Sequence, residues 1–222
     1  GLSTSTCTAA AREHWFAGAS GQEGRRGRLV LSNPSPATAV VNVALFDEIG
    51  PVEDAPGMQD VTIPARSQEV LVLDALAPEA EDLGVYVRAT QGRVAAALDY
   101  REFEEGEPGG VTTIPAAAEP ATEVVVPGVP SHGERTLSIF VPGETDALVS
   151  VRVLGVGGPF SPVDHDAVTV SAGSVLTVPL SDALGDEPAA IALESDEPVT
   201  AAVRVVSASS DGMPDLAYTA AT

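Results

Sequence analysis

Lysine is missing from this chain. All eleven basic residues are arginine, set against 32 acidic ones, for a formal net charge of −21. A surface of that sign repels phosphate backbones and anionic lipid, which argues against nucleic acid and against peripheral membrane binding. Cysteine is nearly missing as well. Cys7 stands alone, so no intrachain disulfide can form, and it is either a free thiol or the partner of a cysteine outside this chain. Aromatic residues make up only 4%. No apolar run reaches the length of a membrane-spanning helix, and no basic start followed by an apolar stretch marks a signal peptide. The opening, "GLSTSTCTAAAREHW", has no initiator methionine and reads as the start of a soluble fragment of a longer protein.

What is abundant points to strands. Hydrophobic residues reach 44%, mostly Val, Ala and Leu, which suits many short strands around a packed core. The 222 residues allow one large domain or two of ordinary size. The acids gather in Gly- and Pro-rich stretches such as "DEIGPVEDAPGMQD", "REFEEGEPGG" and "SDALGDEPAAIALESDEP". These read as solvated loops, and none has the D-x-D-x-D-G spacing of a calcium loop.

The chain repeats itself. "LSNPSPATAVVNVALFDEIGP" begins at Leu31, and "IFVPGETDALVSVRVLGVGGP" begins at Ile139. A shift of 108 positions sets Leu31 on Ile139, Val43 on Val151 and Pro51 on Pro159. Apolar residues step by two in both copies, the period of a strand with one buried face. "WFAG" sits opposite "VVPG", "VTIPARS" opposite "VTVSAGS", and "LDAL" opposite "SDAL". A unit of about a hundred residues occurring twice is a tandem domain rather than a short-repeat solenoid.

About seven short strands fit each unit, separated by turn signals, with "TQGR" reading as a hairpin and "LDAL" and "SDAL" as single helical turns. The expectation is an all-β chain of two tandem immunoglobulin-like β-sandwich domains, at 12–118 and 119–222, after a poorly ordered start at 1–11. The boundary is expected near Ala116–Glu123, with the main concave surface beside it. The Cys…Trp…Cys hallmark of antibody domains is missing, so the likeness is one of architecture.

Chemistry is harder to find. Three histidines are present: His14, His132 and His165. Along an extended strand Asp164 and Asp166 flank His165 on the opposite face, which is poor metal geometry. Ser131 adjoins His132 in a turn, and "GASG" is not a nucleophile elbow. Neither a catalytic group nor a metal or cofactor is expected. Trp15 beside Phe16 reads as a core or interdomain pair, or else as a sugar-stacking platform.

Taken in order, "WFAGAS", "LSNPSPATAVVNV", "VTIPARS", "GRVAAAL", "VVVPGVP", "VTVSAGS", "PVTAAVRVV" and "DLAYTAAT" resemble an actinobacterial family of secreted, membrane-anchored envelope proteins, classed as a domain of unknown function. The resemblance implies an extracellular location, an anchor outside this chain, and an upstream cysteine as partner for Cys7. It supplies no activity and no catalytic residues. The resulting expectation is a non-catalytic structural or interaction module whose partner is an unidentified protein or an envelope glycan. The alternative is a carbohydrate-binding accessory in polysaccharide assembly.

Overall fold

The computed structural model describes residues 8–53, 55–104, 106–163, 166–208 and 214–222. Cys7, Asp164 and His165, all singled out above, lie outside the described residues. So does most of the expected loose start; of its remainder, Ala11 is tied to Val94 by an isolated bridge.

The chain is all-β, with several sheets. Its first half runs through β1 (Glu13–Ala19), β2 (Arg25–Asn33), β3 (Ala39–Phe46), β4 (Val61–Ile63), β5 (Ser67–Val72), β6 (Leu83–Gln91), β7 (Ala95–Glu104) and β8 (Glu107–Ile114). These form two four-stranded layers, β1-β6-β3-β4 and β5-β2-β7-β8. Inward-facing residues of both, among them Phe16, Leu29, Leu31, Val43, Val87 and Leu98, share one core. The single turn α1 (Leu73–Leu76) plugs its end with Leu73.

The second half repeats this plan. It holds β9 (Ala121–Val129), β10 (Glu134–Val141), β11 (Ala147–Gly155), β12 (Gly158–Phe160), β13 (Ala167–Val170), β14 (Ser174–Pro179), α2 (Ser181–Leu184), β15 (Ala189–Ala208) and β16 (Pro214–Ala220). The first stretch of β15 pairs with β9 and β11, and its later stretch with β10 and β16. The resulting layers, β9-β15-β11-β13 and β14-β10-β15-β16, match those of the first half, with β12 added beside β11. α1 and α2 fall at the same 108-residue shift as the strands. Leu137, Ile139 and Val151 lie in a second core. Leu31, Ile139, Val43 and Val151 are all fully buried, as the alternation requires.

One connection differs from the sequence expectation. "TQGR" does not close a hairpin, because β6 and β7 lie in opposite layers and do not pair. Gly92, at a φ of 78°, turns the chain from one layer to the other instead. In the second half no break exists at the equivalent place, and the 20-residue β15 runs through both layers. Two alternating strands in succession carry the same period-2 signal whether they pair or cross over, so the pattern does not separate the cases.

The halves are packed against each other. A third apolar cluster joins Ala17 and Phe46 of the first half to Phe140, Val175, Ala202 and Ala220 of the second. Trp15 and Tyr86 cover it, stacked at a centroid separation of 3.7 Å, and Phe140 tilts against both Trp15 and Phe46. Gly84 makes this approach possible: a Cβ there would lie 2.9 Å from ring carbons of Phe140. The segment between β8 and β9 is tied to both halves. Ala117 N–H donates to Trp15 C=O at 2.8 Å, and Ala118 N–H to Ala221 C=O at 2.9 Å.

Candidate functional site

A polar concavity lies between the halves. Its floor is Glu102, which sits on β7 opposite Arg25 of β2 and is nearly fully buried. Arg25 pairs with its carboxylate from the same half. Arg204, on β15 of the other half, reaches across and grips both oxygens, with Nε donating to Oε1 at 2.7 Å. A bidentate guanidinium fixes orientation as well as distance. Burial opposes the Arg204 charge, but the Glu102 hydrogen bond and charge outweigh it and raise its pKa. The network therefore works as a charged clamp from one half to the other.

Tyr100 and Tyr218 stand beside the clamp, edge to face at 6.0 Å. Tyr218 donates to Gly18 C=O at 2.8 Å, again across the joint. Burial raises the pKa of both phenols, so both remain neutral. At the rim, Asp82 is half-buried and its pKa is raised. Burial is the main cause; Glu48 and Glu81 add to it, while a hydrogen bond from Thr177 and the Arg204 charge oppose it.

Two adjoining cavities of about 250 Å³ flank the clamp, the first lined by Ser20, Asp82, Glu134, Ser138 and Thr177 and the second by Phe103, Gly109 and Pro214. Each is smaller than the hollow that holds a typical organic ligand. A perturbed carboxyl in a cleft can mark catalysis. Here no histidine lines either cavity, and the hydroxyl nearest Asp82 already donates to it. The geometry suits fastening better than proton transfer.

The residues singled out from sequence are dispersed. Phe16 is in the first core. Trp15 is half-buried in the joint, where Tyr86 covers one face of its ring. Tyr86 donates to Glu13 at 2.9 Å, and burial followed by that bond pushes its pKa up to about 12. His14 Nε2 lies 2.8 Å from Val94 C=O, inside the first half. His132 is exposed and 3.9 Å from Asp186. The cleft expected beside Ala116–Glu123 is displaced: none of those residues lines the polar cavities. Hydrogen bonds and the Trp15–Ala117 bridge fill that corner instead.

A separate hollow of about 660 Å³ opens beside α2, lined by Phe160, Pro162, Val163 and Pro179. Phe160 and Val163 are exposed there. Sequence reading missed both this hollow and the clamp. Glu102 lies in an acidic run that reads as loop, and its partner Arg204 is 102 positions away. The cluster around Phe140 did leave a signal, the apolar run Ile139–Val141 where alternation was expected.

The model of a family described as "Family of unknown function (DUF5719)" matches residues 1–222. Among curated proteins nothing matches the chain. Among solved structures, the crystal structure of Thermotoga maritima 1070 is similar at 20% identity and a TM-score of 0.40, over 46% of this chain and 94% of that chain.

Proposed function

This chain belongs to the DUF5719 family, and from that premise we propose that it is a non-catalytic structural or interaction module. Its units are two tandem β-sandwiches, spanning 12–118 and 119–222, with immunoglobulin-like architecture but their own strand connectivity. One observation carries the reading. The groups that would build a site, Trp15, Tyr86, Phe140, Glu102 and Arg204, are used to fasten the halves together. The extracellular envelope setting, with an anchor outside this chain, belongs to the same proposal and rests on the family resemblance. The charge of −21 keeps nucleic acid out of the set of partners.

The alternative, a carbohydrate-binding accessory, is favoured by one feature, the hollow with Phe160 at its mouth. Sugar stacking needs an open aromatic face, and Phe160 supplies a single one. A panel of envelope glycans together with esterase and glycosidase substrates separates the readings. The scaffold reading expects no retention and no turnover. Glycan retention lost in Phe160→Ala, or turnover lost in Asp82→Asn, would overturn it.

A further inference from the structure

The joint between the halves is made from unlike faces. Its apolar part takes the outer face of β1-β6-β3-β4 from the first half and the outer face of β14-β10-β15-β16 from the second, with Tyr100 and Glu102 of β7 joining at one edge. Since both halves contain the same two layers, each keeps open the face that its counterpart has used. The first half leaves the outside of β5-β2-β7-β8 in solvent, where Val70, Val72 and Val111 are 46%, 40% and 41% exposed. The second leaves the outside of β9-β15-β11-β13, with Val125, Leu148 and Leu154 similarly exposed. A contact between unlike faces does not close on itself and can continue from molecule to molecule.

The two open faces also carry opposite charge. On β5-β2-β7-β8, Arg26 and Arg101 are directly opposed across the ladder; Arg28, one step along β2 on the same face, stands opposite Asp99, so that one carboxylate sits among three arginines. All three are exposed, and among the described residues none forms an ion pair. On β9-β15-β11-β13, Glu123 and Glu194 are directly opposed. Arg152 reaches Glu194 at 3.4 Å, and Glu123 has no ion pair among the described residues. Like charges opposed across a ladder destabilise it, and each pair is relieved when the other sign covers it. These are the faces that meet if the internal joint is repeated between copies.

We propose that a second copy of this chain docks the Arg26–Arg101 face of its first half onto the Glu123–Glu194 face of the second half, propagating the joint head to tail. The external joint is weaker than the internal one. Trp15 is replaced by Val125, Phe46 by Leu154 and Phe140 by Ser32, so these three aromatic anchors of the internal joint have no counterpart there. Net charge opposes assembly, but at about 0.15 M salt the Debye length is about 8 Å, which screens distant charges more than facing pairs. The inference deepens the scaffold reading and rests on it, since it names the partner.

Sedimentation velocity of the chain in about 0.15 M salt tests it. The expected result is an average mass that climbs above that of one chain as concentration rises. The double variants R26E/R101E and E123R/E194R each lose this behaviour, and an equimolar mixture of the two recovers it. All four sites are exposed, and an unchanged melting midpoint checks that the variants fold. A monomer at every concentration would overturn the proposal, as would reversed variants that assemble like the parent, or a mixture that stays monomeric. Glycan retention by the same samples would defeat the scaffold reading while leaving the association result to stand or fall by itself.

Discussion

Strands β2 and β10 hold the same place in their halves, yet β2 buries alternate side chains while β10 buries five in succession, Leu137–Val141. Strands β1 and β9 show the reverse: β1 is covered on both sides from Phe16 to Ala19, and β9 alternates. The difference is one of position rather than plan. A strand with neighbours on both faces becomes apolar throughout, whereas one with a solvent face keeps the period of two. Each half has thus adapted one layer to its neighbour, and not the same layer. The aromatic residues follow this division, with Trp15 and Phe140 on covered faces and Val125 and Ser32 at the open equivalents.

The sharpest way to break the comparison is to truncate the covered member of a pair and its open counterpart side by side. Phe140→Ala removes the centre of the joint and costs about 3–5 kcal/mol. Ser32→Ala, at the equivalent open position, stays within about 0.5 kcal/mol. Urea titration followed by fluorescence of Trp15, which stacks on Tyr86 beside Phe140, reads both.

Glu102→Ala comes next, at about 3 kcal/mol, because it leaves Arg204 facing a buried, unpaired site. The estimate sits at the low end for buried pairs, since Arg25 retains contact with water. The analogous change on an open face, Glu194→Ala, removes an exposed pair and costs under about 1 kcal/mol.

Gly84 and Ala190 make a third pair, since they face Phe46 and Leu154 across equivalent ladders. Gly84→Ala drives a Cβ to 2.9 Å from the Phe140 ring and costs about 1–3 kcal/mol. Ala190→Gly has no such contact to relieve and costs about 0.5–1 kcal/mol through backbone entropy. Thermal unfolding of the two variants ranks them.

The smallest effect belongs to Asp82. Burial raises its folded pKa above the usual 3.8, so in that window the native state holds a proton that the unfolded chain has released. The resulting penalty is absent below pH 3.8 and grows as pH rises through the raised value. Asp82→Asn therefore stabilises the protein at neutral pH, and its advantage disappears at about pH 4. Melting midpoints of both proteins across that range measure it.

Much of the architecture was legible because strand period and repeat order survive in sequence. Both helical turns fall where "LDAL" and "SDAL" stand. The crossover at Gly92 was not legible, since alternation is blind to which layer a strand enters. The joint was half legible. "LSIFV" ends in three apolar residues in a row where the equivalent "LVLSN" ends Leu-Ser-Asn, but such a run does not say what lies on the second face. The clamp was not legible at all, because Arg25, Glu102 and Arg204 are brought together only by packing across the repeat.

Differential scanning calorimetry of the intact chain, alongside Phe140→Ala, tests most directly whether the halves are locked into one unit. The account predicts a single transition for the parent, with calorimetric and van't Hoff enthalpies equal. It predicts that Phe140→Ala lowers that transition and splits it in two. Two independent transitions in the parent, or a variant that melts as the parent does, would contradict it.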